Sequence, residues 1–137
     1  MKLISFLLNH SSCYGVVQGS QVLNLSPILG SEAPDLKTLI AKNMFAQAAE
    51  AMTKHKPDLE FEKLELLPVI PNPEKILCVG LNYHDHVKET GRDLTEKPAI
   101  FSRFNASQVA HGQAIMRPPE SHRLDYEGEI AVIIGQG

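Results

Sequence analysis

Leu124-Asp125-Tyr126-Glu127-Gly128-Glu129-Ile130-Ala131-Val132-Ile133-Ile134-Gly135 is the stretch on which the reading of this chain turns. Taken as a β-strand, its side chains alternate. Leu124, Tyr126, Ile130, Val132 and Ile134 fall on one face, and Asp125, Glu127, Glu129, Ala131 and Ile133 on the other. Glu127 and Glu129 therefore point the same way, roughly 6.5–7 Å apart. At that separation two ionised carboxylates repel by about 2–3 kcal/mol at an effective dielectric near 20, and by less than about 1 kcal/mol in open water. Two readings follow. An exposed pair is the solvated edge of an amphipathic strand, whereas a pair packed beside the apolar run Ala131–Ile134 calls for a compensating cation. Oxygen-only donors suit a hard ion, Mg²⁺ or Ca²⁺, with Mn²⁺ also able to bind.

Outside that stretch, composition sets broad bounds. With 137 residues, 43% hydrophobic and 21% charged, the chain has the make-up of a globular protein, long enough for one domain or a small domain and part of another. A net charge of −3 without a basic cluster gives no reason to expect nucleic acid or an anionic membrane as partner. The N-terminal Met1-Lys2-Leu3-Ile4-Ser5-Phe6-Leu7-Leu8 has a short apolar run with no small-residue cleavage site, so it reads as a strand and not a signal peptide, and the cytoplasm is the expected compartment. Cys13 and Cys78 read as reduced, buried small hydrophobes.

Residues 1–67 read as a small accessory domain of α+β type. Leu3–Leu8, Tyr14–Gln18 and Gln21–Leu25 form a β-meander, with Gln18-Gly19-Ser20-Gln21 as a tight hairpin turn. Asp35 caps a helix running to about Lys42. Met44–Lys54 forms a second helix, with Phe45, Ala48, Ala49 and Met52 at helical spacing. Leu59–Leu66 is a weak strand. Residues 68–74 carry three prolines and read as an extended, poorly hydrogen-bonded linker.

Beyond it, Lys75–Gly80 is a short buried-type strand. Leu81–Gly91 reads as a helix capped by Asn82 and stopped by Gly91, on which His86 and Glu89 stand three apart and can touch. A carboxylate bonded to an imidazole fixes its tautomer and raises its basicity, as a general base requires. The plain alternative is an exposed ion pair of little energetic consequence. Gly80 and Gly112 read as backbone positions that only glycine can adopt.

Taken together, the run Lys75–Gly91, then Pro98-Ala99-Ile100-Phe101-Ser102-Arg103-Phe104, then Ser107–Gly112, then Leu124–Gly135 resembles the fumarylacetoacetate hydrolase family in order and spacing. The resemblance covers about residues 68–137, and the preceding domain is similar to the family's variable N-terminal unit. It implies that residues 75–137 are the start of a mixed β-sandwich or β-roll catalytic domain. It also implies that Glu127 and Glu129 are ligands of Mg²⁺, Mn²⁺ or Ca²⁺, that His86 is the catalytic histidine in a dyad with Glu89, and that Tyr83, Phe101 and Arg103 line the substrate pocket. Many relatives have Lys where Arg103 stands; either cation attracts a carboxylate, Arg through a planar fork. His111 falls near the mouth of the implied site, with a structural role expected.

The implied chemistry is metal-stabilised enolate formation on a 2-oxo acid or 1,3-dicarbonyl substrate. Hydrolytic C–C cleavage is the leading expectation, with oxaloacetate decarboxylation, tautomerisation or isomerisation as alternatives and homodimerisation expected. The family's third ligand, an Asp, would lie beyond Gly137, so a truncated catalytic domain is expected, inactive by itself and weak in binding metal. A non-catalytic dimerisation module is the reading from outside enzymology.

Overall fold

The computed structural model describes residues 1–80, 83, 88, 91, 97–124 and 129–136. They divide into two compact units, one of residues 1–71 with 109–137 and one of residues 72–108.

The first unit is built on β1 (Leu3–Leu8), β2 (Ser11–Gln18) and β3 (Gln21–Asn24), an antiparallel meander. Its two turns obey the handedness that right-twisted strands demand. Gly19 sits at φ +64°, and Gln18 pairs directly with Gln21, so glycine takes the first central position of a two-residue loop. The turn before β2 is a finding the sequence reading lacked. Asn9 and His10 both have positive φ, 49° and 63°, with Leu8 opposite Ser11, the pattern of a type I′ turn. Because that turn closes so tightly, β2 starts at Ser11 and not at Tyr14.

The expected strand over Leu59–Leu66 is two short pieces, β4 (Leu59–Glu60) and β5 (Glu65–Leu66), separated by a 3₁₀ turn over Phe61–Lys63. The five strands lie in the order β4-β3-β2-β1-β5, so the two pieces occupy opposite edges. A flat sheet of five strands would be about 19 Å across. Five residue steps from Glu60 to Glu65 reach at most about 18 Å fully extended, and the 3₁₀ turn shortens them at about 2 Å per residue. The edges can be linked this way only if the sheet curls.

Helices cover the sheet. Ser26–Leu29 forms the single-turn α1, Leu36–Ala41 forms α2 and Phe45–Lys54 forms α3. Asp35 caps α2 as expected, its carboxylate accepting from the Thr38 N–H at 2.7 Å. On α3 the expected face holds at Ala48 and at the half-buried Met52, which packs against the core, and fails at Phe45 and Ala49. Ala48 and Ala51 are buried together with Met44 at the N-cap, while Phe45 and Ala49 are exposed. Small alanines at the contact let the helix approach the sheet closely. The core they join comprises Tyr14, Val16, Leu23, Leu25, Leu36 and Leu39, with Ala33 and Ile70 completing it.

Within this core, the Tyr14 hydroxyl donates to the Ala33 carbonyl at 2.6 Å. Burial, reinforced by the Asp35 charge, pushes the phenol from its ordinary value near 10 up to about 12. Beside it, Gly15 is dictated by proximity. A Cβ there would lie 2.3 Å from the Leu23 carbonyl oxygen, on backbone that cannot yield.

The proline-rich segment departs from the extended, unbonded connector expected. Leu67 N–H donates to Ser5 O at 2.9 Å, the buried Ser5 hydroxyl donates to Val69 O at 2.8 Å, and Ile70 enters the core. Proline cannot offer an N–H, but the residues between the prolines do the anchoring.

In the second unit, β6 (Ile76–Gly80) and β7 (Ala99–Arg103) form a two-stranded antiparallel sheet. Among the described residues no helix is long and apolar enough to cross a membrane.

Candidate functional site

The register of β6 against β7 decides which side chains share a face. Ile76 lies opposite Arg103, Cys78 opposite Phe101 and Gly80 opposite Ala99, and directly paired residues project on the same side. Ile76, Cys78, Gly80, Ala99, Phe101 and Arg103 therefore make up one face. Leu77, Val79, Ile100 and Ser102 make up the other.

On the first face the side chains lean in one direction. The Arg103 guanidinium carbon stands 5.8 Å from the centroid of the Phe101 ring. The ring's Cε1 in turn lies 3.4 Å from where a Gly80 Cβ would be. Arg103, Phe101 and Gly80 thus lie in succession on this face, running along β7 toward the end of β6. Gly80 has no positive φ, which corrects the expectation that its backbone conformation demands glycine; the Phe101 ring lies at van der Waals distance from where its Cβ would be. Gly112, at φ +80°, does fit that expectation.

Of the pocket residues implied by the resemblance, the structure brings Phe101 and Arg103 together. Both are exposed, and Tyr83, at 45% exposure, follows β6 by three positions. Among the described residues no carboxylate pairs with Arg103. Cys78, across from Phe101, is a free thiol, half-buried like Cys13, so neither cysteine reaches the burial expected of it.

His86, Glu89 and Glu127 lie outside the described residues, as does most of the expected helix around the first two. Its expected stop is described. Gly91 has φ +66°, and its N–H donates to the Lys88 carbonyl at 3.2 Å. Glu129 is described and exposed, in a segment that departs from the strand expected of it. Residues 129–136 form no strand, and Ile130, Val132 and Ile134 are 85%, 76% and 83% exposed. A strand exists by its ladder, and none of the described strands pairs with this run. Among the described residues no group of three metal-binding side chains comes together. Glu127 and Glu129, two apart in sequence, offer hard oxygen donors of the kind a divalent ion takes.

A separate, mostly apolar cleft of about 360 Å³ lies in the first unit between Ile4, Phe61, Leu66, Val69 and His111. None of the described candidate residues, Tyr83, Phe101, Arg103 and Glu129, lines it, and His111 does.

The family model described as fumarylacetoacetate (FAA) hydrolase C-terminal matches residues 75–137. That segment matches the fumarylacetoacetate hydrolase family over 63 of the chain's 137 residues, and it contains all seven candidate site residues. The chain is 38% identical over 89 residues to a Rattus norvegicus protein named oxaloacetate tautomerase Fahd2a, mitochondrial, an alignment that takes in 65% of this chain and 28% of the relative. This chain thus spans little more than a quarter of that protein's length.

Two solved structures share the fold. One is a Mycobacterium smegmatis protein assigned as HpcE, with a TM-score of 0.59 at 23% identity over 77% of this chain and 37% of the other. The second is the fumarylacetoacetate hydrolase of Exiguobacterium antarcticum, with a TM-score of 0.50 at 21% identity over 78% of this chain and 36% of the other. Mixed helices and strands in a curled sheet agree with both.

Proposed function

We propose that these residues belong to a metal-dependent enzyme that acts on a 2-oxo acid through an enolate, catalysing keto–enol tautomerisation of oxaloacetate in preference to the hydrolytic C–C cleavage that leads the sequence reading. The observation that carries the proposal is the family match over residues 75–137, which encloses every candidate residue. The name of the rat relative turns the choice of reaction toward tautomerisation.

In this proposal Glu127 and Glu129 hold the cation. A bound divalent ion supplies a Lewis acid for the substrate carbonyl and for the charge that develops on its oxygen. His86 takes the proton from the carbon next to the carbonyl, and a proton returns to the enolate oxygen, so that keto and enol forms interconvert with no atoms gained or lost. Glu89 fixes the imidazole tautomer that does this. Arg103 receives a substrate carboxylate through its planar fork, and Tyr83 and Phe101 wall the pocket. In the hydrolytic version His86 activates water instead.

Homodimerisation and a cytoplasmic location are parts of the same proposal, the latter beside relatives whose names place them in mitochondria. Protein made from the complete reading frame, supplied with Mg²⁺, tests the reaction. Loss of the ultraviolet absorbance of oxaloacetate enol is expected to accelerate with no pyruvate released from acetylpyruvate. Release of pyruvate from acetylpyruvate, with oxaloacetate unaffected, would replace the tautomerase with a hydrolase.

A further inference from the structure

Placing a guanidinium to take a carboxylate in plane requires that something hold its flat face, because an exposed arginine otherwise samples many rotamers. On the β6–β7 face that support is visible. Arg103 and Phe101 are two apart on one strand, which puts them on one side of it, and the guanidinium carbon stands 5.8 Å from the ring centroid. A cation over a ring face in that range is attracted to it. The ring lies against Gly80, its Cε1 3.4 Å from where a Cβ would stand, so a methyl would meet it in ordinary van der Waals contact and only a branched side chain would crowd it; Ala99 lies opposite Gly80. Among the described residues no carboxylate engages the Arg103 N–H groups.

We infer that Phe101 is a positioning residue: seated on Gly80, it holds the Arg103 guanidinium for in-plane, two-point capture of a substrate carboxylate, so the site selects a carboxylate-bearing ligand through Arg103 and not through the ring. This rests on the function proposed above, in which Phe101 would otherwise be a wall of the pocket.

The full-length protein is titrated calorimetrically with malonate, a dicarboxylate that cannot complete the reaction. Phe101→Leu weakens malonate binding roughly two- to five-fold, the worth of an exposed cation–ring contact, whereas Phe101→Trp retains wild-type affinity. Gly80→Val leaves both partners in place but displaces the ring, and weakens binding to the same degree; it also serves should Phe101→Leu fail to fold. In an Arg103→Met background, Phe101→Leu has no further effect, because a residue acting through another is silent once that other is gone. Undiminished affinity in Phe101→Leu and Gly80→Val, an equal loss in the Arg103→Met background, or no malonate binding by the wild-type protein would each overturn the inference. Oxaloacetate turnover on the same samples reports separately. Its absence, with the malonate pattern intact, rejects the tautomerase and leaves the positioning role standing.

Discussion

Tyr14 shows how a single side chain ties the accessory unit together. Its ring fills the core while its hydroxyl reaches the Ala33 carbonyl. A pKa raised from near 10 to about 12 means that the folded protein keeps the phenol proton over a range in which the unfolded chain has lost it. Stability from this source is complete below pH 10 and lost as pH rises toward 12, amounting to about 2–3 kcal/mol over that window. Urea midpoints measured between pH 9 and 11.5 are expected to fall for the wild-type chain. Tyr14→Phe flattens that slope and lowers stability at neutral pH by about 1 kcal/mol.

At the proposed site, two substitutions separate binding from chemistry in the full-length enzyme. Glu127→Gln is expected to weaken Mn²⁺ binding, read by calorimetry, and to remove turnover with it. His86→Ala is expected to spare Mn²⁺ binding while lowering the rate by roughly 10²–10⁴-fold, the range for a lost general base. Unchanged turnover in both variants would remove these residues from the mechanism. The candidate residues were visible in the sequence as positions that the family resemblance picks out. Gly80 was not, since its role depends on the ring that pairing with β7 brings over it.

At the level of elements, local signals fared well where neighbours in sequence decide the outcome. Asp35 caps α2 because its short carboxylate reaches an amide three residues on. Asp35→Ala is expected to lower stability at neutral pH by about 0.5–2 kcal/mol and, by removing a nearby negative charge, to bring the Tyr14 phenol down, so that less stability is lost between pH 9 and 11.5 than in the wild-type chain. A wild-type fall in urea midpoint over that range in the variant would show that burial alone controls Tyr14. Elements defined by distant partners were less legible. Leu59–Leu66 alternates like one strand, yet its two ends pair with β3 and β1 on opposite edges. Ile130–Ile134 carries strong strand propensity and forms no ladder among the described strands. Propensity describes what a segment tolerates, and pairing requires an edge to accept it.

Over the whole molecule, the main buried cluster of the first unit draws its members from residues 14–70, with Phe6 buried as well and Ala110 adding a buried side chain from beyond the proline segment. The anchoring of Leu67 and Val69 on Ser5 ties the end of residues 1–71 back to β1. A chain cut after Pro71 is therefore expected to fold alone, with a cooperative thermal transition by circular dichroism and the elevated Tyr14 titration retained. A cut after Leu66 removes the Leu67 and Val69 bonds and the Ile70 side chain, and is expected to melt several degrees lower. Equal melting of the two would show that the prolines serve only as a spacer.

The sequence by itself determined what lies close along the chain: the meander with its glycine turn and the cap on α2. Each of these follows from the reach and charge of a residue and its immediate neighbours. Only the tertiary structure decided the curl of the five-stranded sheet, the docking of the proline segment, and the stacking of Arg103 on Phe101 over Gly80. Strand register and edge pairing join residues far apart in sequence, and those distances are fixed only when the chain has closed upon itself.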